Sequence, residues 1–181
     1  LDYSSDTTAA TPKGPLSVVR TSSSGVSSIN CGYTVGGSTP SAATSVDRID
    51  YSNDTATAVA RGPLPTAISG GRGGCSNSDN ALLDGFNGVA SNTGVNRVPV
   101  GTDYGYFAGG NTAAPAYIST VNRIDYSNDT PTAATKGPLT AGKSKVSAVS
   151  STTYGYVGGG SPAPGTFSTV DRIDYFSDTS T

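Results

Sequence analysis

The chain has no histidine, methionine, tryptophan, glutamate or glutamine, so all 13 of its acidic residues are aspartates. Without His or Glu, acid–base work falls to Asp, Lys, Tyr or Cys, and metal ligation to Asp and Cys. No Ser–His, Cys–His or paired-Glu arrangement can be written. The reading is a non-enzymatic protein with no cofactor. Charge is also sparse: the 11 Lys and Arg are scattered singly and the pI is about 4.8, which argues against a nucleic-acid partner. No stretch approaches the ~20 apolar residues of a membrane span, and no signal-peptide pattern opens the chain. No membrane insertion is expected. The Leu1-Asp2-Tyr3 start in a chain without Met suggests a segment of a longer polypeptide.

What is abundant is small and polar: 26 Ser, 24 Thr and 24 Gly among 181 residues. Thr, Val and Tyr favour strands, Gly, Asn, Asp, Ser and Pro favour turns, and most strong helix formers are missing. An all-β fold follows. With 34% hydrophobic residues and a net charge of only -2, the chain is poor in core material but lacks the high charge of a disordered one. It is expected to fold by repeating a small unit.

The repeat is visible directly. Arg48 to Leu64 recurs as Arg123 to Leu139 with 13 of 17 positions identical, and shorter copies lie at Leu1 to Thr8 and Arg172 to Thr179. A second signature keeps the same phase: Cys31-Gly-Tyr-Thr-Val-Gly-Gly37, Tyr104-Gly-Tyr-Phe-Ala-Gly-Gly110 and Tyr154-Gly-Tyr-Val-Gly-Gly-Gly160. Each reads as a short strand closed by a diglycine. A further strand follows each Gly-Pro-Leu, a third runs through Val-Asp-Arg-Ile-Asp-Tyr or its equivalent, and a fourth through the Thr-Ala after the Asn-Asp turn. The predicted organisation is a strand remnant over 1–12 and repeats over 13–58, 61–133 and 136–181. The second repeat is about 26 residues longer, which places a loop insertion at about 65–100, opened by Gly70-Gly-Arg-Gly-Gly74.

Four short strands per ~50 residues is the content of a propeller blade. The pattern resembles the kelch repeat, in which a diglycine closes the second strand and a Tyr-bearing third strand follows. The run Val-Asp-Arg-Ile-Asp-Tyr-Ser-Asn-Asp-Thr, with Gly-Pro-Leu and Tyr-Gly-Tyr-Phe/Val-x-Gly-Gly, also resembles repeats in structural and fibre-like proteins of marine bacteriophages of the cyanophage type. The resemblance implies three kelch-like β-propeller-type blades, incomplete alone or part of a larger ring or array. It also implies a virion-associated structural or adhesion role at the particle surface, with other virion proteins or copies of itself as partners. The alternatives are a carbohydrate-binding module that contacts a host surface glycan, and a kelch-type protein-interaction scaffold.

Several residues are singled out. The diglycines Gly36-Gly37, Gly109-Gly110 and Gly159-Gly160 are expected at equivalent strand ends. Strand alternation puts Arg48 with Asp50, Arg123 with Asp125 and Arg172 with Asp174 on one face, which suggests a repeated structural ion pair. In the insertion, Arg72, Leu82, Leu83 and Phe86 are the candidate binding-loop residues. Cys31 and Cys75 form a disulfide or remain free thiols. Asp50-x-Ser52-x-Asp54 and Asp125-x-Ser127-x-Asp129 have the alternate-oxygen spacing of calcium loops, set against a turn in which Asx side chains bond their own backbone. Tyr33, Tyr106 and Tyr156 are read either as sugar platforms or as core tyrosines.

Overall fold

The structure, a computed structural model, describes residues 10–28, 30–77, 104–112, 116–151, 153–161 and 165–180. It is all-β. Among the described residues twelve strands form three separate four-stranded antiparallel sheets, each from one contiguous stretch of chain. The first holds β1 (Ser24–Ser27), β2 (Cys31–Val35), β3 (Val46–Asp50) and β4 (Val59–Ala60). The second holds β5 (Gly73–Ser76), β6 (Tyr104–Ala108), β7 (Val121–Asp125) and β8 (Ala134–Lys136). The third holds β9 (Ser147–Ser150), β10 (Tyr154–Gly158), β11 (Val170–Asp174) and β12 (Thr179–Ser180). Within each sheet sequential strands are neighbours, and the register repeats: Tyr33 faces Arg48, Tyr106 faces Arg123, and Tyr156 faces Arg172.

The apolar core lies between sheets. One cluster joins Tyr33, Val35, Val46 and Ile68 to Phe107 and Ile124; the other joins Tyr106, Val121 and Cys75 to Val157, Ile173 and Tyr175. The middle sheet is therefore covered on both faces, and β6 is buried at four successive positions. By contrast β10 alternates buried and half-buried, as a strand covered on one face does.

Each second strand ends in a glycine pair with positive φ: 63° and 96° at Gly36-Gly37, 68° and 109° at Gly109-Gly110, and 70° and 97° at Gly159-Gly160. A side chain is strained there, which ends the strand at the same register in all three units. Other expectations shift. The fourth strands fall at Val59–Ala60 and Ala134–Lys136, beyond the Thr-Ala stretches, because the chain first crosses to pair with the preceding Gly-Pro segment, Ala58 N donating to Pro15 O and Ala133 N to Pro63 O. The Gly70–Gly74 run is not an open insertion either, since Gly73–Ser76 is the first strand of the second sheet. Its glycines serve close approach: a Cβ on Gly74 would lie 2.5 Å from Gly25 O, where the inner strands of two sheets meet.

Candidate functional site

Two polar constellations recur along the chain. The first is the junction between consecutive units. Asp129, in the turn after β7, accepts hydrogen bonds from the Tyr33 hydroxyl and Arg48 Nη1, both at 3.0 Å, while Arg61 Nε lies 3.3 Å away. At the next junction Asp178 accepts from the Tyr106 hydroxyl at 2.8 Å and pairs with Arg123 and with Lys136, the latter at 3.0 Å. The turn of one unit thus sits in a socket made by a Tyr and an Arg of the preceding unit, beside the linker cation that opens its own unit. Stacked rings seal it, Tyr33 on Tyr126 and Tyr106 on Tyr175, each pair with centroids 4.9 Å apart.

The backbone repeats the arrangement. Gly62 N donates to Asp129 O and Gly137 N to Asp178 O, and the same bond runs from Gly14 N to Asp54 O, with Lys13 on the Asp54 carboxylate. Burial, and then the bond to Asp129, push the Tyr33 hydroxyl well above the ordinary tyrosine range; Tyr106 is shifted likewise by burial and Asp178. Both stay protonated and act as permanent donors. Burial raises the Asp178 carboxyl, but Lys136, Tyr106 and Arg123 outweigh it and hold it below the usual value.

The second constellation lies inside each unit. In the first, the Asp47 carboxylate is fully buried, paired with Arg20, and accepts from Ser17 N at 2.9 Å and Ser17 Oγ at 2.6 Å. In the third, Asp171 pairs with Lys143 and accepts from Thr140 N at 3.0 Å and Thr140 Oγ1 at 2.6 Å. In the second unit the matching residues are Pro65, Ile68 and Asn122, and a different cation enters. Arg72 Nη2 donates to Asn122 Oδ1 at 2.7 Å and to Phe107 O at 2.8 Å, while its Nε and Nη1 have no partner among the described residues. Burial pulls its pKa down to about 9.

The singled-out residues divide accordingly. Arg48 and Arg123 do form ion pairs, but with Asp129 and Asp178 of the next unit and not with Asp50 and Asp125. Those two carboxylates are turned onto their own loops, Asp50 accepting from Ser52 N and Asp125 from Ser127 N, both at 2.9 Å; Asp174 does the same for Phe176 N. Within each Asp-x-Ser-x-Asp the two carboxylates face different partners, and no group of three or more metal-ligating residues converges among the described residues. Arg172 has no ion pair among the described residues and lies over the Tyr154 ring at 4.5 Å.

Arg72 is a buried core cation and not an exposed binding-loop residue, because its side chain turns back under β6. Leu82, Leu83 and Phe86 lie outside the described residues. Both cysteines are free thiols: Cys31 is on β2 and Cys75 on β5, each packed in a different cluster. Burial pushes the Cys75 thiol up to about 11, which makes it unreactive. Tyr33 and Tyr106 are core residues, which leaves Tyr156 as the half-buried member of the set.

Sequence reasoning missed Asp47, Asp171 and Asp129 as buried partners and Asp178 as a half-buried one. One signal was present: a Lys or Arg stands just before each Gly-Pro, matching the recurring Asp of the turn in sign and period. A cleft of about 170 Å³ opens beside Asp129, between Arg123, Asn128 and Pro131, smaller than the pockets that enclose organic ligands. Among the described residues no helix is long and apolar enough to cross a membrane. A scan against protein-family models finds no match, and a search of curated proteins finds no relative.

Proposed function

We propose that this protein is a non-enzymatic structural module of a virion fibre or adhesion protein, built of kelch-like, propeller-type blades that form part of a larger ring or array. The observation that carries the reading is the repeated junction, in which the acidic turns of the second and third units lock into the Tyr–Arg socket of the unit before. Such nearest-neighbour locks turn a row of small sheets into a stiff spacer, the mechanical task of a fibre. Each meander has the strand content of one blade, and the inner strands β1, β5 and β9 lie side by side in that order. The phage setting rests on the likeness of the Val-Asp-Arg-Ile-Asp-Tyr-Ser-Asn-Asp-Thr runs to marine phage fibre repeats.

The test is proteomic. Peptides of this chain at structural abundance in purified virions, with antibody labelling at the particle surface, support the proposal. Their absence from virions of a phage that encodes the chain overturns the assignment. A glycan-binding role has one specific support, the edge-to-face pair Tyr154 and Tyr156 on the open face of the third sheet. Glycan-array binding lost on Tyr156→Ala favours that reading, and an array with no hits removes it.

A further inference from the structure

The outer face of the third sheet is built like the two faces that are covered inside the molecule, yet nothing among the described residues covers it. Four equivalent positions show this. Val26 on β1 reaches toward Gly105 of the second sheet, and Cys75 on β5 toward Gly155 of the third; the matching Val149 on β9 is 67% exposed. Val46 and Val121 are buried by the following unit, whereas the matching Val170 is 64% exposed. Tyr33 and Tyr106 are buried, and Tyr156 is half open. Arg48 and Arg123 hold the carboxylate of the next turn, and Arg172 holds none among the described residues.

The complementary half is at the other end. Asp54 is the equivalent of Asp129 and Asp178, and it already has its linker cation in Lys13, 3.2 Å away. Among the described residues it has neither a Tyr hydroxyl nor a strand Arg on it, and its side chain is 41% exposed against 6% for Asp129. Among the described residues the one molecule therefore carries an unfilled socket and an unclaimed turn that match in charge and repeat phase.

We propose that the Val149–Tyr156–Val170–Arg172 face binds the Asp54 turn of a second copy of this chain, head to tail, repeating the internal junction between molecules. The inference rests on the repeat geometry and not on the virion assignment, so either can fail alone. In such a contact Arg172 and the Tyr156 hydroxyl take the Asp54 carboxylate as Arg48 and Tyr33 take Asp129, and Val149 and Val170 pass from water into the interface. Heterologous contacts of this kind close into rings or run on as filaments. Inside the chain, covalent connection supplies an effective concentration of order millimolar. Association between copies is accordingly strongest at high protein concentration.

The experiment is sedimentation velocity of the full chain over a concentration series up to about that range. The expected result is a sedimentation coefficient that rises with concentration. Arg172→Asp and Asp54→Arg each hold the protein monomeric, as does Val149→Asp, with circular dichroism unchanged because Arg172 and Val149 are exposed and Asp54 is half-exposed at the surface. A mixture of Arg172→Asp with Asp54→Arg makes both contacts complementary, one the original Arg172–Asp54 pair and one its reverse, and restores association with the two variants alternating. A wild-type chain that stays monomeric throughout overturns the proposal. So does association that survives Arg172→Asp and Val149→Asp together.

Discussion

In the first unit the buried carboxylate Asp47 is met by Arg20 and by both donors of Ser17, and in the third Asp171 is met by Lys143 and both donors of Thr140. In the middle unit all three positions change together: Asn122 has lost the charge, Ile68 the cation, and Pro65 both the N–H and the hydroxyl. Changing one alone would strand the others, since a buried charge or donor without its partner costs more than the pair contributes. The three residues behave as one cassette. The middle unit then admits Arg72 from another direction, held by two neutral acceptors and with Nε and Nη1 unpaired among the described residues.

The comparison breaks most clearly if the two cations are removed in turn. Arg20→Met leaves Asp47 buried without a counter-charge and is expected to cost about 3–5 kcal/mol in denaturant unfolding. Arg72→Met loses two hydrogen bonds but also removes an uncompensated buried charge, so its net effect is expected within ~1 kcal/mol of zero. Equal losses at both sites would show that the middle unit is not a distinct solution.

A second pair sharpens the same point from the acidic side. Asp47→Asn is expected to cost about 2 kcal/mol, because Arg20 is then buried with a neutral partner. Asn122→Asp is expected to be neutral or stabilising, because Arg72 already supplies the charge 2.7 Å from the Asn122 oxygen. Opposite signs in parallel unfolding curves bear this out; two destabilisations of like size contradict it.

Covered and open faces differ in how much room they leave. A Cβ on Gly105 would lie 2.5 Å from the Tyr126 hydroxyl and 2.8 Å from Val26, whereas on Gly32 its nearest neighbours would be the Tyr51 hydroxyl at 3.0 Å and ring at 3.3 Å. Gly105→Ala is expected to lower stability by roughly 1–3 kcal/mol and Gly32→Ala by less. Thermal unfolding of the two variants orders them.

The smallest effect is on acid sensitivity. Burial raises the Asp171 carboxyl, but Lys143 and Thr140 more than offset it, and Asp178 is likewise held low. A carboxyl with a depressed folded-state pKa stabilises above its unfolded pKa of ~3.9, and the contribution is lost as pH falls through the folded value. Stability is therefore expected to hold down to about pH 4 and to fall below it. Asp171→Asn should flatten that acid limb, while Asn122→Ala should leave its slope unchanged.

Much of the fold was legible because the repeat writes it three times: the Gly-Tyr strands, the diglycine stops and the Val-Asp-Arg-Ile-Asp strands fall where the period places them. Partners were not legible, because Arg48 meets Asp129 across 81 residues while Asp50 sits two residues away on the same strand. Local alternation favoured the wrong carboxylate. It also set Asp47 opposite Arg48 without showing that both sides of that strand are covered. The strand at Gly73–Ser76 hid in a glycine run, since glycine chosen for tight sheet contact reads the same as glycine chosen for flexibility.

That consecutive units are joined by an acidic turn in the preceding unit's socket is tested most directly by a double-mutant cycle of Arg48→Met and Asp129→Asn in the monomeric chain, with Arg172→Met and Asp54→Asn as the control. The expected coupling is about 1–3 kcal/mol across the internal junction and close to zero for the control pair. Additive losses for Arg48 and Asp129 would contradict the junction as the element that holds the units together.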